Sequence, residues 1–372
     1  MRVLVAIGTR PEAIKLAPVV RALEAEDGVV VECCLTGQHT DLIRPMLDFF
    51  QLPVHHDLNA MTPGQTLPGV AAKILSGVGA IFRQSRYDWV VVQGDTTTAF
   101  AAGLAGYYER VKVAHVEAGL RSFNLNHPFP EEAHRRLLDV FADCLFVPTM
   151  QARTNLLAEG TDPNRIHVTG NSGIDALLAT CAKVTAERRP LPVPVPDGHQ
   201  LLLVTAHRRE SFGPPLEQVF RAVVTLTEER PNLTALVPLH PNPNVRAAAK
   251  VFEGHAHVHA IEPMEYPDFV AAMARADLIL TDSGGIQEEA PALGKPVLVT
   301  RETTERPEGV EAGAAELVGT DAVRIVARAT ALLTNPPPRQ PVYLYGDGQA
   351  STRIAQLLRY GRTHVPARKL AA

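Results

Sequence analysis

The sequence predicts an α/β protein of two Rossmann-like, doubly wound domains facing a cleft. Three observations carry that expectation. Short apolar runs alternate with amphipathic helical stretches from end to end, the pattern of a parallel sheet covered on both faces. The alternation breaks once, at Arg188-Arg189-Pro190-Leu191-Pro192-Val193-Pro194-Val195-Pro196, where repeated prolines enforce an extended segment unsuited to a sheet interior. It then restarts, and the polar loops of both halves directly follow predicted strands, where open α/β sheets bind their ligands.

In order, residues 3–7 form a strand, and Pro11 opens a helix to about residue 25. Residues 29–35 are the next strand, ended by Thr36-Gly37-Gln38-His39, with helices around 41–50 and 65–82. The run 89–92 delivers Gly94-Asp95-Thr96-Thr97-Thr98 at its C-terminal end, and 111–116 delivers Glu117-Ala118-Gly119-Leu120-Arg121. A strand at 145–147 and a helix near 149–159 follow. The second half reads strand 201–205, helix 215–230, strand 234–237, helix 245–252, strand 257–261 and helix 266–276. Strand 277–280, helix 286–293, strand 297–300, helix 321–333 and a terminal helix at 350–360 complete it.

Composition narrows the function. With 372 residues, 46% hydrophobic and 20% charged, the chain has room for two α/β cores. A formal net charge of −4 argues against a nucleic-acid or membrane-surface partner. No apolar run approaches the ~18 residues that a membrane span needs. Residues 1–8 are too short for a signal peptide and read as the first strand. Cys33, Cys34, Cys144 and Cys181 show neither CxxC nor metal spacing, and two of them are adjacent, which suits buried free thiols in a reducing cytoplasm. His240 lacks metal spacing too, so neither a metal nor another cofactor is expected.

The chemical reading turns on Thr281-Asp282-Ser283-Gly284-Gly285-Ile286-Gln287-Glu288-Glu289. Strand, small residues and helix start let a phosphate approach backbone N–H groups at the positive end of the helix dipole. Ser283 adds a hydroxyl donor. Glu288 and Glu289 would repel a phosphate and suit ribose hydroxyls instead. An ordinary glycine-rich connection is the competing reading. Carboxylates come from the first half: Asp95, Glu117 and the Glu131-Glu132 pair. Asp95 also fits a helix N-cap, and Glu131 a first-turn acid; Glu117, before Ala-Gly, has no capping role. Gathered at one cleft they read as acid/base groups, because crowded carboxylates push each other's pKa values apart. The run Thr205-Ala206-His207-Arg208-Arg209-Glu210 fits a solvated loop, or a His207 that contacts a phosphate or the sugar. Arg306 could clamp a diphosphate, and Arg10 and Lys15 offer positive charge from the other domain. Together these residues describe acid/base chemistry on a sugar whose leaving group is a nucleoside diphosphate.

The ordered set Gly8-Thr9-Arg10-Pro11-Glu12, Gly94-Asp95-Thr96-Thr97-Thr98, His115-Val116-Glu117-Ala118-Gly119-Leu120-Arg121 and Pro130-Glu131-Glu132 continues in the second half. There it includes His207-Arg208-Arg209-Glu210, Asp282-Ser283-Gly284-Gly285-Ile286-Gln287-Glu288-Glu289, Thr304-Glu305-Arg306-Pro307-Glu308 and Tyr345-Gly346-Asp347-Gly348. The set, from residue 8 to 348, resembles the bacterial non-hydrolysing UDP-N-acetylglucosamine 2-epimerases. The resemblance implies a glycosyltransferase-B-like fold with domains at 1–172 and 173–350, and a helix at 351–372 returning to the first domain. It also implies a cytoplasmic homodimer that interconverts UDP-GlcNAc and UDP-ManNAc for cell-surface polysaccharide synthesis. UDP would leave to give 2-acetamidoglucal and then add back. By resemblance Asp95, Glu117, Glu131 and His207 are catalytic. Arg10, Lys15, His207, Ser283, Gly284, Gly285, Glu289 and Arg306 match binding positions for UDP or the sugar.

Two departures stand out. Where the family commonly continues Thr36-Gly37-Gln38-His39 with Arg-x-x-Met, in a loop that helps bind a second, activating UDP-GlcNAc, this chain has Thr40-Asp41-Leu42. Where Asn commonly follows the first Glu of Pro-Glu-Glu by three residues, it has His134. A hydrolysing epimerase releasing UDP and ManNAc, or a UDP-sugar-dependent glycosyltransferase, would use much of the same residue set. A non-catalytic nucleotide-sugar sensor would have no use for the three carboxylates.

Overall fold

Parallel strand pairing dominates both halves of a computed structural model that describes residues 1–37, 40–61 and 64–361, side chains excepted at 40–42. In the first unit β1 (Arg2–Ile7), β2 (Val30–Leu35), β3 (His56–Asp57), β4 (Trp89–Gln93), β5 (Lys112–Val116), β6 (Cys144–Val147) and β7 (Ile166–Val168) form one sheet. Their order is β3-β2-β1-β4-β5-β6-β7. Every residue of β4 is buried, as expected where helices cover both faces. The connecting helices are α1 (Arg10–Glu24), α2 (Thr40–Phe50), α3 (Leu67–Gln84), α4 (Thr97–Tyr108), α5 (Glu131–Phe141), α6 (Met150–Ala158) and α7 (Ser172–Ala186). Threonine starts four of them: Thr9, Thr66, Thr96 and Thr149 each accept the backbone N–H three residues on, satisfying an amide that has no partner within the helix.

The second unit repeats the scheme. Its strands are β8 (Gln200–Thr205), β9 (Leu233–Pro238), β10 (Val258–Ile261), β11 (Leu278–Thr281), β12 (Val297–Val299) and β13 (Ala315–Leu317), in the order β10-β9-β8-β11-β12-β13. Its helices are α8 (Pro214–Glu229), α9 (Pro243–Ala248), α10 (Tyr266–Arg275), α11 (Gly284–Ala292), α12 (Pro307–Glu311) and α13 (Ala322–Thr334). The last helix, α14 (Ala350–Tyr360), packs on α1. Among the described residues the compact units are 1–176 with 345–361, and 177–344. Among the described residues no helix is long and apolar enough to cross a membrane.

The α/β, doubly wound class expected from the sequence is the class observed. In each sheet the strand order reverses beside the first strand, between β1 and β4 and between β8 and β11. Loops that diverge from such a switch point leave a crevice at the C-terminal strand ends, and those loops hold most of the candidate residues. Several elements differ from expectation. The helix expected over 245–252 is α9 followed by a 3₁₀ turn, Ala249–Phe252: Asn242 caps it early by accepting the Asn244 N–H, and Pro243 takes the first position. Helix α11 begins at Gly284 rather than at Ile286, which places the glycine amides in its first turn.

One glycine is dictated by packing. A Cβ on Gly8 would lie 2.0 Å from Thr98 Oγ1 and 2.6 Å from Thr36 Oγ1, two hydroxyls that bond each other at 2.9 Å. At the other end of the chain Asp175 accepts the first amides of α14, from Ala350 (3.2 Å) and Ser351 (2.7 Å). Arg353 meanwhile bridges Asp347 and the Thr169 carbonyl. Burial raises the Asp175 pKa from 3.8 to about 6, against the opposing pull of those amides. The folded protein therefore holds this proton more tightly than the unfolded chain, and the associated stability is lost as pH rises from 3.8 through 6. Asp175→Asn, which cannot ionise, should gain on the parent by on the order of 1–3 kcal/mol between pH 4 and pH 7 in urea unfolding. A difference that is constant with pH would refute the assignment.

Candidate active site

A buried carboxylate shapes the loop after β1. Glu12, 1% exposed, accepts the amides of Gly8 (2.8 Å) and Thr9 (2.6 Å) on one oxygen and the Thr96 hydroxyl (2.5 Å) on the other. It thereby ties the loop after β1 to the loop after β4. Burial raises its pKa and the hydrogen bonds oppose the rise. These loops line a cavity of about 480 Å³ together with Arg10, Lys15, Gln93, Asp95 and Glu117.

Glu117 is the strained residue of that cavity. Its φ is +65°, a left-handed conformation that costs a non-glycine residue roughly 1–3 kcal/mol and gathers at functional sites. Its carboxylate accepts Lys15 Nζ at 2.5 Å and Gln93 Nε2 at 2.8 Å. Beneath it lies a buried network. His115 reaches Asp139 through Nδ1 and the Gly94 carbonyl through Nε2, both at 2.7 Å. Arg121 pairs with Asp139 (2.8 Å) and Glu159 (2.7 Å). Burial alone would raise the Asp139 pKa, but His115 and Arg121 hold it below the usual carboxylate range. His115 and Arg121 thus set the backbone around Gly94 and Glu117 from behind the cavity.

Asp95 does not cap α4; Thr96 does, through its bond from Ala99 N. The Asp95 carboxylate, with 29% of its side chain exposed, instead pairs with Arg135. Glu131 and Glu132, adjacent at the start of α5, have separate fates. Glu132, 0% exposed, accepts the amides of Ser122 (2.9 Å) and Phe123 (3.2 Å). Glu131 Oε2 is buried with no hydrogen-bond partner among the described residues, a costly condition that a ligand group would relieve. Glu131 does not line the 480 Å³ cavity.

In the second unit Asp282, 0% exposed, accepts the amides of His207 (2.6 Å) and Arg208 (2.8 Å), with its other oxygen 3.2 Å from His207 Nδ1. The His207 ring stacks on His240 at 5.4 Å. Burial pushes the His207 pKa down, His240 and Arg208 push the same way, and Asp282 opposes them. Ser283 precedes α11 but makes no side-chain cap bond. Gly285 faces open space, where a Cβ would meet nothing nearer than Ser283 Oγ at 3.9 Å. Gly284 is flanked by Arg306 and Arg208, 3.4 and 3.7 Å from the position of a Cβ. Buried Gln287 brings Arg306 there: its Oε1 accepts from Thr304 Oγ1 (2.6 Å), which in turn accepts the Arg306 amide (3.0 Å).

The ribose reading needs correcting for one of the two glutamates. Glu288 is buried against Arg306 at 2.8 Å, leaving half-buried Glu289 as the sugar-contact candidate. Arg301, on the same loop as Arg306, pairs with Glu210 and Glu305, and holds Glu305 down to about 2. Gln38 and His39, in the loop linked to a second ligand, lie outside the described residues. Sequence reasoning missed Gln93, Arg135, Arg208 and the His207–His240 stack. Only Arg135 carried a signal, since residue i+4 shares a helix face with Glu131.

The two glutamates of α5 separate by experiment. Glu132→Gln removes a charge that holds two amides and should lower stability by ~1–3 kcal/mol in denaturant unfolding. Glu131→Gln, which removes the charge from a carboxylate whose buried oxygen holds no amide, should not lower it. Equal losses would mean that both carboxylates serve the fold.

The profile of the family described as UDP-N-acetylglucosamine 2-epimerase matches residues 21–359. The UDP-N-acetylglucosamine 2-epimerase of Escherichia coli K12 is 45% identical over 374 residues, spanning 97% of this chain and 99% of that protein. The crystal structure of UDP-GlcNAc 2-epimerase from Neisseria meningitidis, bound to UDP-GlcNAc, aligns with a TM-score of 0.87 and 41% identity over 96% of this chain and 100% of that one. The Methanocaldococcus jannaschii enzyme in complex with UDP-GlcNAc and UDP aligns at 0.78 and 33% identity, covering 97% and 100%. With a family match over most of its length and relatives this similar end to end, the chain belongs to the UDP-N-acetylglucosamine 2-epimerase family.

Proposed function

We propose that the protein interconverts UDP-GlcNAc and UDP-ManNAc by eliminating UDP to 2-acetamidoglucal and adding it back. The observation that carries this reading is a group of three carboxylates with no capping or loop-holding duty: Asp95, Glu117 and Glu131. The C2 hydrogen of the sugar is not α to a carbonyl, so it is barely acidic, and C1–O cleavage must lead. In the elimination, the C1–O bond electrons leave with UDP, a carboxylate takes the C2 proton, and a C1=C2 double bond forms. Return of a proton to the opposite face of C2, with attack of a UDP oxygen at C1, gives the epimer. Charge developing on the leaving diphosphate is the largest demand. The α11 amides, Ser283, Arg306 and His207 are suited to meet it, with Glu289 on the nucleotide sugar and Arg10 and Lys15 supplying charge beside the carboxylates. No electrons pass to an acceptor, so the reaction calls for no redox cofactor.

The reading includes a homodimer. Tyr107, Tyr108, Leu137 and Val140 are large, exposed and apolar on α4 and α5, and Tyr107 packs against Phe141 between them at 5.6 Å. A second copy covering this face would remove a sizeable apolar patch from water.

Chromatography of products formed from UDP-GlcNAc, with EDTA present, tests the activity. UDP-ManNAc is expected; free ManNAc as the main product, or dependence on a divalent ion, would overturn the reading. Glu117→Gln or Asp95→Asn should lower turnover by roughly 10²–10⁴ while UDP still binds. Gly285→Val should do the reverse of the carboxylate variants and weaken UDP in a calorimetric titration, because the side chain fills the open approach to the amides. Parent-like UDP affinity in Gly285→Val would move the diphosphate elsewhere.

A further inference from the structure

Residue 95 is held at both ends by two consecutive residues of α5. Arg135 pairs with its carboxylate, and His134 Nδ1 donates to its backbone carbonyl at 3.1 Å. Neither contact arises from the helix that Asp95 precedes, since Thr96 supplies that cap. Both holding residues are braced in turn. Arg135 Nη1 lies 3.3 Å from Glu132 Oε2, and Glu132 is fixed by the Ser122 and Phe123 amides. The His134 ring stacks on Phe100 of α4, 5.1 Å between centroids and 6° from parallel. Glu131, His134 and Arg135 stand at i, i+3 and i+4 of one helix, so they share a face.

We propose that Arg135 is a positioning residue that registers the Asp95 carboxylate against Glu131, making the two a unit carried by α5. This rests on the epimerase reading above. An Asp on a loop with 29% of its side chain exposed would otherwise sample several rotamers. A guanidinium anchored to a buried glutamate restricts it to one. Arg135 Nε is buried with no hydrogen-bond partner among the described residues, so the fork is turned to serve Asp95 and Glu132 through its terminal nitrogens at the expense of its third donor site. Arg135 is not assigned a contact with substrate: its effect on the chemistry passes through Asp95.

The test is a double-mutant cycle on the full-length protein, reading kcat and KM for UDP-GlcNAc, with calorimetric UDP titration as a check that each variant is folded. Arg135→Gln should lower kcat by about 10–100-fold, the cost of a misplaced catalytic group, with KM and UDP affinity within about threefold of the parent. In the Asp95→Asn background the same change should have an effect of less than about threefold, because the group it positions is gone. If Arg135→Gln does not fold, Arg135→Lys keeps the charge beside Glu132 and carries the same cycle: a smaller kcat loss is expected that vanishes in Asp95→Asn. Losses that multiply in the cycle, or a folded Arg135→Gln with parent-like kcat, would overturn the proposal while leaving the epimerase reading in place. A parent protein without epimerase activity would overturn both.

Discussion

One interaction recurs wherever this fold must hold a loop: a buried carboxylate accepting two consecutive backbone N–H groups. Glu12 takes Gly8 and Thr9, Glu132 takes Ser122 and Phe123, Asp175 takes Ala350 and Ser351, and Asp282 takes His207 and Arg208. Burying a carboxylate is unfavourable unless its lone pairs are satisfied, and charge-assisted bonds to amides are among the strongest offsets available. Each clamp also limits two peptide units at once. The loop after β1, the segment leading to α5, the start of α14 and the loop after β8 all depend on it.

This division of labour separates the acidic residues. Those that clamp amides are nearly inaccessible. The acids proposed for the chemistry are set apart in other ways: Glu117 is in a left-handed conformation, Asp95 is held from another helix, and Glu131 has a buried oxygen with no hydrogen-bond partner among the described residues. Cations divide likewise. Arg121 and Arg353 neutralise buried acids, whereas Arg208 and Arg306 flank the first turn of α11, Arg306 while also pairing with buried Glu288. The second unit therefore offers amides and positive charge, and the first offers carboxylates, the division that the proposed elimination of a diphosphate calls for.

Much of this was legible in the sequence, for physical reasons. Strands buried on both faces must be continuously apolar, so β1, β4, β8 and β11 stand out, and the polar residues that end them announce the loops. The short strands β3, β7 and β13 carried no such run and were missed; each has only two or three residues in its ladder. Roles of neighbouring acids were also hidden. Glu131 and Glu132, or Glu288 and Glu289, are chemically identical pairs, and only a helix rotation of one residue decides which faces an amide, an arginine or solvent. Asp95 and Thr96 are both good caps by type, and backbone geometry chose the threonine. The hold of Arg135 on Asp95 spans forty positions of the chain, and no local pattern reveals it.

The most direct test of the account is NMR of UDP-GlcNAc incubated with the protein in D₂O. Proton removal from C2 and return on the other face predict UDP-ManNAc carrying deuterium at C2, with the sugar still joined to UDP. UDP-ManNAc with its original C2 hydrogen, or UDP-GlcNAc left unchanged, would contradict it.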